Sequence, residues 1–452
     1  MWLNSFLDKG TVSPLHPPGS SGIRTARGCL GDTDVVVYCT VPELKGGALG
    51  HEGCDRIVDA IGIAARSGCP VIGIWHSGGA RLDEGIEALD GVGRVFTAMT
   101  HASGRIPQIS IVLGPAAGGA AYGPALTDLV ITAPEARVFV TGPDVITAVT
   151  GERVDQNTLG GPDAHSERSG VVHIAATSQA DAFHRARRLI DILATPRRPF
   201  ALPSPTGNDL SRLLPTDSRR AYDVKPLVEG ILDHESFEEI QGRWAPNIVV
   251  GLGRLAGRSL GVIANNPLRK GGCIDARAAE KAARFVRMCD AFGVPLLVLA
   301  DVPGYLPGTG QEWDGVVRRG AKLLHAFAES VVPRITLVLR RSYGGAYLAM
   351  NAAALGATAV FAWPGAEIEV MGAGAAVRIL HRRRIEAVPV PERPALEVKL
   401  AKQHELRSTG TRHALELGVV DRVIDPHETR YILAREFAAA PSGRGSHNNI
   451  PL

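Results

Sequence analysis

Two segments of this 452-residue chain carry the same punctuation at a near-constant interval. The first runs Cys69-Pro70-Val71-Ile72-Gly73-Ile74, then Ile106-Pro107-Gln108-Ile109-Ser110-Ile111-Val112-Leu113, then Ala117-Gly118-Gly119-Ala120-Ala121-Tyr122. The second runs Val294-Pro295-Leu296-Leu297-Val298-Leu299, then Val332-Pro333-Arg334-Ile335-Thr336-Leu337-Val338-Leu339, then Tyr343-Gly344-Gly345-Ala346-Tyr347. Pro70 and Pro295 lie 225 residues apart, Pro107 and Pro333 226, Gly118 and Gly344 226, and Pro134 and Pro364 230. So regular a spacing marks an internal duplication. Each copy ends where an apolar strand meets adjacent glycines. Such a turn sends the chain into a helix whose first N–H groups lack an intrahelical acceptor. Those amides stabilise an oxyanion without help from any side chain. Two copies therefore predict two oxyanion sites.

The pattern between the marks alternates strand and helix. Apolar runs at Val35 to Val41, Val71 to Trp75 and Ile109 to Leu113 read as strands. Cys54 to Arg66 and Leu82 to Ala102 carry the helical period. The second copy repeats the order with strands at Gly261 to Ala264, Leu296 to Asp301 and Ile335 to Leu339, and helices at Ala278 to Phe292 and Val316 to Ala328. Alternation of this kind requires crossovers and parallel pairing, hence an α/β fold. Prolines at 196, 199, 203, 205, 215 and 226 place a linker at 196–226, between an N-terminal domain of 1–195 and a C-terminal one of 227–452. A basic stretch, His381 to Pro394, reads as irregular, and the tail from Ala438 as extended or partly mobile.

Composition narrows the function. With 45% hydrophobic and 21% charged residues and a net charge of +3, the chain has ample core and no electrostatic case for nucleic acid. The most apolar stretch, Ile109 to Leu126, is broken by prolines and glycines, so no membrane span is expected. Six scattered cysteines show no CxxC spacing and imply reduced thiols in a cytoplasmic protein without a zinc ribbon. Histidine spacings give no metal site. No GxxxxGK[ST] loop is present, so the chain does not itself spend ATP. Gly257-Arg258-Ser259-Leu260-Gly261 matches a nucleophile elbow, but a strand-like run follows it, and it reads as a hairpin turn. The glycines from Gly251 to Gly257 open no helix and are no dinucleotide loop. His76-Ser77-Gly78-Gly79-Ala80-Arg81 follows a strand and opens a helix, and Asp301-Val302-Pro303-Gly304-Tyr305 fills the same slot in the second copy. Both read as backbone cradles beside the glycine turns. The run Arg382-Arg383-Arg384 reads as a solvated surface rather than a phosphate clamp.

Together, Ile72 to Gly85, Ser110 to Asp128, Val138 to Gly151, Lys281 to Gly308 and Arg340 to Asn351 resemble the carboxyltransferase (β) subunit of biotin-dependent acyl-CoA carboxylases, most of all the actinobacterial acetyl-/propionyl-CoA carboxylase β chains. The resemblance implies two crotonase-like domains per chain, the first for acyl-CoA and the second for carboxybiotin. It also implies a ring-like homohexamer, and a separate biotinylated biotin carboxylase/carrier (α) subunit that uses the ATP. The expected products are malonyl-CoA and methylmalonyl-CoA. Charge then develops on two oxygens, the thioester oxygen and the ureido oxygen of the carboxyl donor. By resemblance Gly118 and Gly119 hold the first, and Gly345 and Ala346 the second. Ser77, Gly78, Gly79, Ala80 and Arg81 would line the CoA, with Tyr343 and Gly344 beside the biotin. Leu348 stands where propionyl-preferring relatives often carry Asp, so it is expected to set acyl specificity and to lean it towards acetyl-CoA or mixed use. Rival readings are the carboxyltransferase of a biotin-dependent decarboxylase, a crotonase-type hydratase or isomerase, and a non-catalytic scaffold. A hydratase or isomerase needs an acid/base carboxylate at its oxyanion hole.

Overall fold

The computed structural model describes residues 2–194, 202–217, 220–407 and 411–451. Among them, sixteen strands form two sheets of eight. The first comprises β1 (Ser13–Pro14), β2 (Ile23–Leu30), β3 (Thr33–Thr40), β4 (Val71–Ser77), β5 (Gln108–Ala117), β6 (Leu129–Thr132), β7 (Arg137–Phe139) and β8 (Ile174–Ala175). Its order is β1-β2-β3-β4-β5-β6-β8, with β7 beside the last residues of β5. The second comprises β9 (Glu238–Ile240), β10 (Ile248–Leu255), β11 (Arg258–Asn265), β12 (Leu296–Val302), β13 (Arg334–Tyr343), β14 (Ala359–Ala362), β15 (Glu367–Glu369) and β16 (Arg422–Val423). Read from its far edge, β9-β10-β11-β12-β13-β14-β16 with β15 beside β13, it is the same sheet again. Even the irregularities repeat: the β4–β5 register slips between Trp75 and Ser77, and the β12–β13 register between Ala300 and Val302.

The expected strands are all present, their ends lying within four residues of expectation. The helices are present as well, with one break. Gly85 (φ 56°, ψ −126°) divides Leu82 to Ala102 into a short 3-10 turn, Leu82–Glu84, and the helix Ile86–Ala102. Ala256 (φ 60°) and Gly257 (φ 71°) form a two-residue hairpin between β10 and β11. Ser259 lies buried in β11, its hydroxyl donating to Ile192 O (2.7 Å), and is no nucleophile.

Parallel sheets bury both faces, so their strands are apolar throughout. One face of the first sheet, with Val36, Trp75, Val112 and Val130, packs under the helices His51–Ser67 and Ile86–Ala102. Its other face, through Ile72, Ile74 and Ile111, shares one continuous core with helix Gln179–Ala194, helix Ala276–Ala291 and the Val298/Ala300 face of the second sheet. The second sheet's outer face, with Leu297, Leu299 and Leu337, packs under Lys225–Ile231 and Thr429–Ala439. The two halves are thus stacked in tandem, back to front.

Two segments differ from expectation. His381 to Pro394 is helical rather than irregular, with helices Arg382–Glu386 and Arg393–Arg407 flanking a 3-10 turn, Val390–Glu392. Pro391 and Pro394 stand in first turns, where a missing N–H costs a helix nothing. The tail is extended but tied down. Arg444 donates to Ala291 O, Gly104 O and Arg105 O, His447 meets Asp290 (2.9 Å), and Asn449 exchanges hydrogen bonds with Ser103 and donates to Asp128 (2.7 Å). Those partners belong to both halves. Within the proline-rich stretch, residues 195–201 and 218–219 lie outside the described residues. The remainder includes Leu210 and Tyr222, both buried against the second sheet.

Candidate functional site

The two glycine turns are geometrically equivalent. Gly118 (φ 57°) precedes the helix Gly119–Ala125, and Gly344 (φ 58°) opens the helix Gly344–Ala349. At Gly118 a Cβ would have room, its nearest neighbour being Val140 O at 4.0 Å, so the backbone angle alone demands glycine there. The duplication aligns Gly119 with Gly345 and Ala120 with Ala346. Gly118 itself donates its N–H to Phe139 O (3.1 Å), which anchors the turn to β7. The first-turn amides without an intrahelical acceptor are therefore those of Gly119 and Ala120. Of the pair Gly118 and Gly119 expected from sequence, the first has its N–H bonded to β7, and the first-turn N–H groups beyond it are those of Gly119 and Ala120.

The cradle meets this turn directly. Ser77 ends β4 opposite Ala116, and a Cβ on Gly79 (φ 107°) would come within 3.1 Å of Ala117 O. Ser77 is buried, its hydroxyl accepting the Gly79 N–H. Gly78 donates to Gly46 O, and Leu49 and Ala80 form a parallel bridge with two backbone hydrogen bonds. The second half repeats the bridge between Ile274 and Tyr305. Behind each bridge stands Lys-Gly-Gly, at 45–47 and 270–272, with matching left-handed angles at Lys45 (φ 50°) and Lys270 (φ 49°). A side chain on Gly47 would strike His76 O, and one on Gly272 would strike Asp301 O. Sequence reasoning passed over this motif, although its two copies are identical and 225 residues apart.

Arg81 corrects an expectation. Its guanidinium turns inward and donates to Ser20 O (3.0 Å), Ser21 O (2.7 Å), Ala48 O (3.2 Å) and Glu84 (3.0 Å). The side chain is a strut for the loop, so only backbone in this stretch can face a ligand. Glu84 in turn accepts the His51 N–H at the start of helix His51–Ser67, and that bond holds its carboxyl below the usual carboxylate range.

In the second half, Gly344, Gly345, Leu348, Ile368 and Val370 line a cleft of about 920 Å³. Leu348 reaches it by the helical period, one turn past Gly345. Tyr343, the residue before the turn, is buried, its hydroxyl donating to Glu367, and burial pushes its phenol up so that it stays protonated. Tyr305 lies against the turn, with its ring 3.9 Å from a Cβ built on Gly345. In the corresponding place the first half has Val92, 3.1 Å from a Cβ on Gly119. The Arg382 to Arg384 run is surface, with Arg382 paired to Glu386 (2.9 Å).

Two buried charged groups outside the turns take part in contacts that the sequence pattern does not show. Lys281 Nζ donates to the carbonyls of Gln241 (2.9 Å), Trp244 (2.9 Å) and Ile248 (2.8 Å), and burial draws its pKa down to about 7. Asp301, at the end of β12, accepts from Tyr222 (2.9 Å) and Arg340 (2.7 Å). All six cysteines are free. Among the described residues no helix is long and apolar enough to cross a membrane, and no cluster could hold a metal ion.

Comparison with known proteins gives consistent matches. The carboxyl transferase domain family matches residues 8–447. The chain is 57% identical over 452 residues to the biotin-dependent acetyl-/propionyl-coenzyme A carboxylase beta6 subunit of Mycobacterium tuberculosis, covering 100% of this chain and 96% of that one. It is 55% identical over 455 residues to the propionyl-CoA carboxylase beta chain of Rhodococcus erythropolis, covering 100% and 95%. Among solved structures, the transcarboxylase 12S hexamer with methylmalonyl-coenzyme A bound superposes with a TM-score of 0.93 at 38% identity, covering 100% of this chain and 91% of that one.

Proposed function

The chain belongs to the carboxyl transferase domain family, and we propose that it is the carboxyltransferase (β) subunit of a biotin-dependent acetyl-/propionyl-CoA carboxylase. It moves a carboxyl group from carboxybiotin, carried by a biotinylated α subunit, to the α-carbon of acetyl-CoA or propionyl-CoA. One observation carries this reading: the same strand-to-helix turn, with free first-turn amides, occurs once in each half. A transfer between two thioester- and urea-like carbonyls needs two such sites, whereas a hydratase or isomerase needs one. The identity to named carboxylase β chains favours carboxylation over a decarboxylase role.

In the first half, the amides of Gly119 and Ala120 hold the thioester oxygen as charge grows on it, while Gly118 fixes their direction. The loop from Ser77 to Ala80 offers backbone to the CoA beside them. In the second half, Gly345 and Ala346 hold the ureido oxygen. The cleft beside them suits a flat bicyclic urea, with apolar walls from Leu348, Ile368 and Val370 and polar amides at one end. When bound, carboxybiotin supplies the carboxyl group. Leu348 of one copy sets acyl preference by facing the first-half turn of another copy, since in its own chain it borders the second-half turn. That arrangement calls for an oligomer, and a hexamer like the transcarboxylase 12S assembly is the expected form. The division into an acyl-CoA half (1–195), a linker (196–226) and a biotin half (227–452) belongs to the same proposal. Six free thiols suit a reducing cytoplasm.

The test is turnover of acetyl-CoA and propionyl-CoA with ATP, bicarbonate and a biotinylated α subunit. Product is expected only with the partner present. Carboxylation by the pure chain, or none of either acyl-CoA with a competent partner, overturns the proposal.

A further inference from the structure

The duplicated turns differ one helical turn after their amides. Tyr122 of the first half stands where Leu348 stands in the second, 226 residues on. Both side chains are half exposed, Tyr122 at 48% and Leu348 at 41%. A helical side chain leans back over the preceding turn, so Tyr122, the fourth residue of Gly119–Ala125, is directed over the first-turn amides. Its ring is propped. Phe96 meets it edge to face, with centroids 6.2 Å apart and planes at 76°. One turn earlier on the helix that carries Phe96, Val92 presses against Gly119, 3.1 Å from where a Cβ would stand. Val92, Phe96 and Tyr122 therefore form an apolar wall on one side of the Gly119 amide. The second turn is walled differently: the Tyr305 ring lies against Gly345 as Val92 does against Gly119, and an aliphatic Leu348 stands at the position of Tyr122.

We propose that Tyr122, held by Phe96, is the wall against which the acyl chain of the thioester packs, and that it sets an upper limit on acyl length. This rests on the assignment of the first half to acyl-CoA. The physical reason is rigidity. A tyrosine ring has two torsions and here a fixed neighbour, so it does not yield to an added methylene as an aliphatic side chain does. An oxygen held at the Gly119 amide leaves the acyl carbons within reach of the Tyr122 ring.

The experiment measures kcat/KM for acetyl-, propionyl- and butyryl-CoA in the reconstituted enzyme with its biotinylated partner. Tyr122→Leu is the informative variant, because the second half shows that this turn accommodates leucine at the same position. It is expected to raise the butyryl-to-acetyl ratio of kcat/KM about tenfold or more, the scale at which a pocket discriminates one methylene. Phe96→Ala is expected to move the ratio in the same direction by a smaller factor, through the lost prop. Tyr122→Phe keeps the ring and is expected to leave the ratio within about twofold. An active enzyme whose ratio stays at the wild-type value in Tyr122→Leu overturns the proposal. A ratio moved as strongly by Tyr122→Phe also overturns it, since the hydroxyl rather than the wall would be responsible. A wild-type enzyme inactive on all three substrates would instead count against the functional assignment.

Discussion

Gly119 permits a clean separation of hydrogen bonding from steric effects. A Cβ at this position would lie 3.1 Å from Val92 Cγ1, so any side chain forces a shift of a few tenths of an ångström. Gly119→Ala introduces that contact and keeps the N–H. It also recovers up to about 1 kcal/mol of backbone entropy. Gly119→Pro introduces the same Cβ and removes the donor. Gly119 is the first residue of its helix, the position at which proline forfeits no intrahelical bond. Gly118 (φ 57°, ψ −127°) holds the mirror image of the extended conformation preferred before proline, which glycine alone adopts readily. The difference between the two variants therefore reports the amide. Loss of one oxyanion donor costs about 10² to 10³ in kcat, or about 2.7–4 kcal/mol. With the biotinylated partner, ATP and bicarbonate, Gly119→Ala is expected to stay near wild type. Gly119→Pro should lose about 10² or more in acyl-CoA carboxylation yet keep measurable decarboxylation of carboxybiotin. Ala346→Pro, which removes a first-turn amide of the second half, should suppress both half-reactions. If Gly119→Pro folds, assembles and works within about tenfold of Gly119→Ala, the amide is not an oxyanion donor and the turn is a packing feature.

Four further outcomes follow from the same structure. Leu348→Asp is expected to change the acetyl-to-propionyl ratio of kcat/KM, and equal effects on both acyl-CoAs would remove Leu348 from the acyl pocket. Lys281→Met orphans the carbonyls of Gln241, Trp244 and Ile248. At about 1–3 kcal/mol for each unsatisfied group it should lower unfolding free energy by about 3 kcal/mol or more, and chemical denaturation showing a loss under about 1 kcal/mol refutes the clamp. His173 accepts the Val130 N–H through Nδ1, and burial holds its pKa down to about 3. Between that value and the ordinary 6.5 the unfolded chain binds the extra proton, so stability falls as pH drops through this window. His173→Asn, with an amide oxygen as acceptor, should flatten the slope, and an unchanged slope assigns it to other groups. Asn449→Ala deprives buried Asp128 of a donor. A loss of about 1.5–3 kcal/mol in unfolding free energy is expected, and thermal or denaturant unfolding unchanged from wild type would show that the tail is not a tie.

The duplication, the α/β alternation and both glycine turns were legible in the sequence because each rests on local chemistry. Apolar runs at fixed spacing make strands and helices, and paired glycines after a strand make a turn, wherever they occur. The hairpin turn at Gly257 was legible for the same reason, with its two turn residues one position earlier, at Ala256 and Gly257. Tertiary structure decided which amide is free. Gly118 and Gly119 look alike as letters, but β7 brings Phe139 O to the first and leaves the second open. Arg81 resembled a ligand contact until the fold surrounded its guanidinium with carbonyls from Ser20, Ser21 and Ala48. Lys281 falls in an amphipathic helical pattern, and only the packing of helix Ala276–Ala291 against residues 241–248 makes it a buried clamp. The tail read as loose because its polar residues carry no periodicity, yet their partners at 103–105, 128 and 290 form a single surface only after the halves have stacked. Local pattern fixes which elements form. Hydrogen-bond partners far apart in the chain, and hence the roles of individual residues, exist only once those elements pack.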